Sequence, residues 1–90
     1  MQVRWLRTAL LEAAYIATED PAVARLVVGR IVTAVNLLAT QPALGKSGRL
    51  PGTRELLVPK TRYLIPYRIC ADQIEILRVF HTSQKPPKSW

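Results

Sequence analysis

The stretch TRYLIPYRICADQIEILRVFHT, residues 61–82, alternates apolar and polar side chains on either side of Cys70, Ala71, Asp72 and Gln73. A period of two is the mark of a strand with one face against a core. The stretch therefore predicts two strands, 62–69 and 74–81, joined as a hairpin. With Ala71 and Asp72 in the turn, Cys70 faces Gln73, and every later pair keeps the same sum: Arg68 with Glu75, Pro66 with Leu77, Leu64 with Val79, Arg62 with His81. One face then carries Tyr63, Ile65, Tyr67, Ile69, Ile74, Ile76, Arg78 and Phe80 and is expected to pack on helices. The other becomes a basic strip of Arg62, Arg68 and His81 around a floor of Leu64, Leu77 and Val79, with Glu75 offsetting one arginine. Pro66 has no N–H to give to the ladder, so pairing is interrupted or bulged on one side there.

Upstream, residues 53–58 also alternate and predict a further strand, stopped by Pro59 and Lys60. Asp20 followed by Pro21 is a helix start, because the carboxylate accepts from free N–H groups and proline at the first helical position loses no bond. That helix is expected to run to about residue 40, where Pro42 and the run Gly45, Lys46, Ser47, Gly48 break the pattern. On a helical wheel Val23, Val27, Ile31, Val32, Ala34, Val35 and Leu38 share one arc, with Leu26 and Leu37 at its edge. Only Arg25, Gly29, Thr33 and Asn36 make a polar strip, so more than one neighbour must cover the helix: the first helix, the sheet, or a partner chain. A shorter helix, capped by Thr8 and running through Leu10, Leu11, Ala14, Tyr15 and Ala17, is expected before it, and Val3 to Trp5 read as an opening strand.

The chain has 90 residues, 49% apolar and 21% charged, enough for one core and too few for two. The order of elements predicts an α+β domain: an opening strand and a two-helix antiparallel hairpin packed on a small twisted, mainly antiparallel sheet. The formal charge is +7, and it is uneven: residues 1–40 hold four bases and three acids, residues 41–90 nine bases and three acids. An acidic partner is implied. One cysteine, Cys70, cannot close an internal disulfide, and one cysteine with one histidine cannot supply a zinc site, so no metal or cofactor is expected. With no leader and no apolar run long enough to span a bilayer, a cytoplasmic location is expected. No phosphate-binding glycine loop or hydrolase nucleophile pattern is present.

The one arrangement with chemical potential is His81 among arginines, since RNA cleavage by its own 2′-hydroxyl needs a base, an acid and cations facing the phosphorane. A solvated face is the competing interpretation. For Arg78, on the core face, the competing interpretation is a guanidinium snorkelling from the edge or paired with Glu12 or Glu19. Residues 85–90, with Lys85, Pro86, Pro87 and Lys88, are expected to form a mobile basic tail beyond a domain of residues 1–84. Trp90 either stacks on a partner or frays.

The run GRLPGTRELLVPKTRYLIPYRICADQIEILRVFHTSQ, Gly48 to Gln84, resembles the C-terminal half of RelE/ParE superfamily toxins, and the order and length of elements extend the likeness to nearly the whole chain. The resemblance implies the toxin of a type II toxin-antitoxin module, held in a hetero-oligomer by an acidic, partly disordered protein antitoxin. The ribonuclease branch typically has an arginine three residues before the tyrosine of the penultimate strand and a tyrosine near the C-terminus. Here Leu64 stands three before Tyr67, and Thr82 follows His81. The YRI of Tyr67, Arg68 and Ile69 with the EILRVFH of Glu75 to His81 is similar instead to the ParE branch, which implies inhibition of DNA gyrase by binding, without catalysis. In that case Arg54, Arg62, Arg68 and His81 are the expected target contacts, and Val27, Ile31, Leu38, Arg49 and Arg78 the expected antitoxin contacts. The alternative is a ribosome-dependent mRNA endonuclease with His81, Arg62 and Arg68 as its catalytic set. A non-toxic nucleic-acid-binding module is a third interpretation, although no base-stacking aromatic pattern is present.

Overall fold

Asp20 opens the helical layer as expected: its Oδ1 accepts from the N–H groups of Ala22 (3.0 Å) and Val23 (3.4 Å), and Pro21 follows at the first helical position. A computed structural model describes residues 1–90. Its elements in order are β1 (Gln2–Trp5), α1 (Arg7–Ile16), α2 (Pro21–Leu37), β2 (Lys46–Ser47), β3 (Arg54–Leu57), β4 (Tyr63–Cys70), β5 (Gln73–Ile76) and β6 (Phe80–His81). After Leu37 the chain tightens: Leu38, Ala39 and Thr40 donate to carbonyls three residues back instead of four. Thr8 does not cap α1. The residue at the cap position is Leu6, which makes no side-chain bond; its N–H donates to Ile76 O (3.0 Å), so β5 delivers the chain into the helix. No helix is long and apolar enough to cross a membrane.

The strands form one sheet in the order β1-β5-β4-β3-β2, with β6 on β4 beyond the end of β5. Only the β1–β5 pair is parallel. The architecture is the expected α+β layer of two helices on a mainly antiparallel sheet. Ala9 and Ile16 of α1, Ile31 and Val35 of α2, and Leu38 just beyond it pack on Ile65, Tyr67, Ile74, Ile76 and Val79. The broad arc of α2 is thus divided. Ile31 and Leu38 are 1% and 0% exposed and belong to the core, whereas Val23, Leu26, Val32 and Leu37 stay open to solvent. Ile31 and Leu38 therefore offer no surface to an antitoxin, which corrects the wheel: its centre is the core-facing half.

The hairpin keeps the expected register only part of the way. Cys70 opposes Gln73, Arg68 opposes Glu75 and Tyr67 opposes Ile76. Leu77 N–H still reaches Pro66 O (2.9 Å), but the next pairs are Leu64 with Phe80 and Tyr63 with His81, one residue out of step. The slip is a bulge over Leu77, Arg78 and Val79, opposite a proline that has no N–H to give. Val79 consequently joins the helix-side core cluster, whereas Phe80, itself buried, lies outside that cluster on the other face, the reverse of the sequence expectation.

Candidate functional site

Residues opposite one another on neighbouring strands share a face, so the bulge decides which charged groups meet. Before it, Arg68 and Glu75 lie on the outer face of the sheet, with Arg4 next to them on β1. Arg68 Nε pairs with Glu75 Oε1, and Arg4 Nη1 lies 3.7 Å from Glu75 Oε2. The hydrogen bond and charge of Arg68 hold the Glu75 carboxyl below its ordinary value against the cost of burial. One carboxylate thus sits between two arginines, leaving that end of the face positive.

The same face has a second charged cluster. Glu55 on β3 is 4% exposed, and burial alone would push its carboxyl up. The backbone N–H of Arg49 (2.9 Å), its guanidinium (3.1 and 3.3 Å) and the charge of Lys46 outweigh burial and hold it down. Above this pair the chain end returns. The Trp90 ring meets Phe80 edge-on at 5.3 Å, and the Arg49 guanidinium stacks over it at 5.8 Å. The last residue of the basic tail thus rests on the sheet, where its indole covers an apolar outer floor that includes Phe80.

His81 goes elsewhere. As the partner of Tyr63 it faces the helix side, its ring edge-on to the Tyr63 ring at 5.1 Å. It borders a pocket of about 410 Å³ shared with Leu11, Tyr15 and Ile16 of α1. Ser83 N–H donates to His81 Nδ1 (3.1 Å), and Ser83 Oγ lies 2.7 Å from the same nitrogen. A backbone N–H can only donate, so Nδ1 is the acceptor and the neutral ring carries its proton on Nε2. The catalytic set of His81, Arg62 and Arg68 is not assembled: Arg68 and His81 are on opposite faces, and the pocket around His81 has no arginine in its lining.

The remaining expected contacts divide in the same way. Arg54 opposes Tyr67, on the helix side, and its Nη1 donates to Gly45 O (2.8 Å). Arg62 is exposed just before β4 and holds no carboxylate. Val27 is half-buried against the core. Arg49 is committed to Glu55. Arg78 takes one of the weighed alternatives: Nε and Nη2 donate to the Glu12 carboxylate (2.9 and 2.7 Å), which also accepts from Val79 N–H (3.0 Å). The hydrogen bond from Arg78 to Glu12 raises its pKa, so it stays a fixed cation inside the bulge and has little left for a partner. Sequence reasoning missed Arg4, and for Trp90 it weighed a partner or fraying but not a contact with the chain's own sheet. Arg4 depends on a parallel pairing that no local pattern announces, and the one cue to Trp90 is the oddity of a large apolar ring at the end of a Lys–Pro tail.

Three comparisons relate the chain to known proteins. Residues 3–86 match the family model described as ParE toxin of type II toxin-antitoxin system, parDE. A Sinorhizobium fredii protein named "Putative toxin Y4kP" is 46% identical over 91 residues, covering 97% of this chain and 94% of that protein. A chain of the chromosomal ParDE TA system from P. aeruginosa superposes with a TM-score of 0.77 at 26% identity, covering 90% of this chain and 95% of its own. With nearly the whole length matched in sequence and in fold, the chain belongs to the ParE toxin family of type II toxin-antitoxin systems.

Proposed function

We propose that this toxin stops growth in the cytoplasm by binding DNA gyrase through the outer face of its sheet, and that an acidic, partly disordered antitoxin neutralises it. The observation that carries the reading is the bulge at Leu77 to Val79. It puts His81 on the face opposite Arg68, beside a pocket with no arginine in its lining, so the general acid or base of a ribonuclease has no cation beside it to meet a pentacoordinate phosphate. What is left suits binding of an acidic partner: Arg4 and Arg68 on the outer face, and the exposed Arg62 just before β4. Arg62, with no carboxylate of its own, is the contact expected to matter most.

The test compares two targets with one set of variants. The purified toxin is expected to inhibit gyrase supercoiling or to accumulate cleaved DNA complexes, while mRNA on translating ribosomes stays intact. Arg62→Ala and Arg68→Ala should weaken gyrase inhibition, and His81→Ala should leave it unchanged. Codon-specific mRNA cuts that disappear in His81→Ala would overturn the reading in favour of the endonuclease.

A further inference from the structure

The pocket beside His81 lies on the helix side of the sheet, on the face opposite Arg4 and Arg68. Leu11, Glu12 and Tyr15 reach it from α1, at spacings of three and four that put them on one helix face. Tyr63 enters from β4 and His81 from β6, with their rings edge-on. No stacking pattern runs along the sequence, yet the fold collects three rings from three elements around one space of about 410 Å³. That volume is usual for a small-ligand site. Tyr15 stands at its mouth, 71% exposed, a large aromatic surface that is no part of the core.

Charge narrows the occupant. The lining has no lysine or arginine, and its one carboxylate, Glu12, is taken up by Arg78 and the N–H of Val79. Whatever enters is therefore uncharged and flat enough to stack, and His81, with Nδ1 occupied by Ser83, has its Nε2–H left to donate. Cations stand outside. Arg62 precedes Tyr63, and Lys85 follows Gln84 of the rim; both are exposed and neither is in an ion pair. Glu19 marks the opposite limit: after burial, its charge is what pushes the Tyr63 phenol up, so it is near enough to repel an anion from the helix end of the pocket.

An uncharged ring inside and an anion outside describe a nucleotide. A duplex keeps its bases paired and stacked and cannot offer one. A free nucleotide would need its cations gathered at one point, whereas Arg62 and Lys85 come from separate segments and each suits one phosphate of a passing strand. The net charge of +7 likewise favours a polyanion. We propose that this pocket takes one base of a single-stranded nucleic acid, stacked on Tyr15 against the wall of Tyr63 and His81, with the adjoining phosphates on Arg62 and Lys85. The site does not depend on gyrase as the target, and because Arg62 also serves the proposed gyrase contact, the test leaves it unchanged.

Labelled single-stranded adenine hexamers of DNA and RNA are titrated with the purified toxin, beside a DNA hexamer with abasic sites in place of its bases and a duplex of the same length. Tyr15→Ala removes an exposed ring and Tyr15→Phe keeps it, and thermal unfolding checks that both variants are folded. Tyr15→Ala is expected to weaken hexamer binding by about tenfold or more without altering its salt dependence, and Tyr15→Phe to bind like the parent. Lys85→Ala should lower the slope of log affinity against log salt by about 0.7, the value of one phosphate contact on a single strand. The abasic hexamer and the duplex should bind more weakly and be indifferent to Tyr15→Ala. Failure of the parent to bind either hexamer, affinity unchanged in Tyr15→Ala, or an abasic strand that binds as well as the adenine one would overturn the proposal. Gyrase inhibition, read separately, would still stand. AMP binding as tightly as the hexamers would overturn it in favour of a free nucleotide.

Discussion

Tyr67 ends in a hydroxyl at a depth where no water reaches it, and the chain answers with two partners from the loop after α2: Gly45 N–H donates to Oη (2.9 Å), and Oη–H donates to Pro42 O (2.7 Å). Burial pushes the phenol up, against the hydrogen bond from Gly45 and the charge of Arg54. Tyr67→Phe keeps the ring but strands both backbone groups, so it should cost about 2 kcal/mol in urea unfolding. Gly45→Ala should cost at least as much, since its Cβ would lie 2.7 Å from Tyr67 Cε1 and 2.8 Å from Glu55 O. Alternation placed Tyr67 on the core face, but its anchoring was not legible, because the partners lie 22 and 25 residues away in a loop without periodicity. Glu55 supplies the pH dependence. Its folded pKa is lowered from the ordinary 4.5, so its contribution is present above that value and is lost as pH falls through the folded one. Glu55→Gln should therefore lose stability at neutral pH and show a flatter decline on the acid side of 4.5 than the parent, which isolates this carboxyl from Glu75, whose shift has the same sign.

At the scale of elements, the hairpin shows where sequence logic holds and where it stops. The turn and the opposition of Arg68 with Glu75 followed from alternation alone, and Pro66 announced an interruption. Its placement did not follow, because what holds the bulge is Glu12, 66 residues from Arg78 on another element. The same long-range cause moved Val79 into the helix-side core, Phe80 to the buried floor of the other face and His81 to the helix side, which is why the basic strip was drawn with one member too many. Glu12→Ala would leave the half-buried Arg78 cation and Val79 N–H without their acceptor. We expect a loss of about 2–3 kcal/mol. In a double-mutant cycle, Glu12→Ala with Arg78→Ala should cost less than the sum of the two single changes, the remainder being the Val79 bond. Strictly additive losses would mean that the pair does not hold the bulge.

For the whole molecule, four of the thirteen cations are held in ion pairs, all with glutamates, and the rest leave the surface strongly positive. That field favours encounter with polyanionic or acidic partners and weakens with salt. The sheet has two working sides as a result: helices cover one, and on the other the protein has only its own C-terminus to shield Phe80. Trp90 closes that side at a cost, because its Nε1–H is buried without an acceptor. The contact and the orphaned donor act in opposite directions, so two substitutions separate them. Trp90→Ala removes the edge-on contact with Phe80 and the stacking under Arg49, together about 1–2 kcal/mol, which for a domain of this size lowers Tm by at least about 4 °C. Trp90→Phe keeps an aromatic ring on Phe80 and removes the unpaired donor, so its Tm should equal or exceed that of the parent. The alanine variant should also bind a hydrophobic dye more strongly, as the floor it uncovers is apolar, and the phenylalanine variant should not. Equal thermal stability and dye binding in all three proteins would show that the chain end does not lie on the sheet in solution.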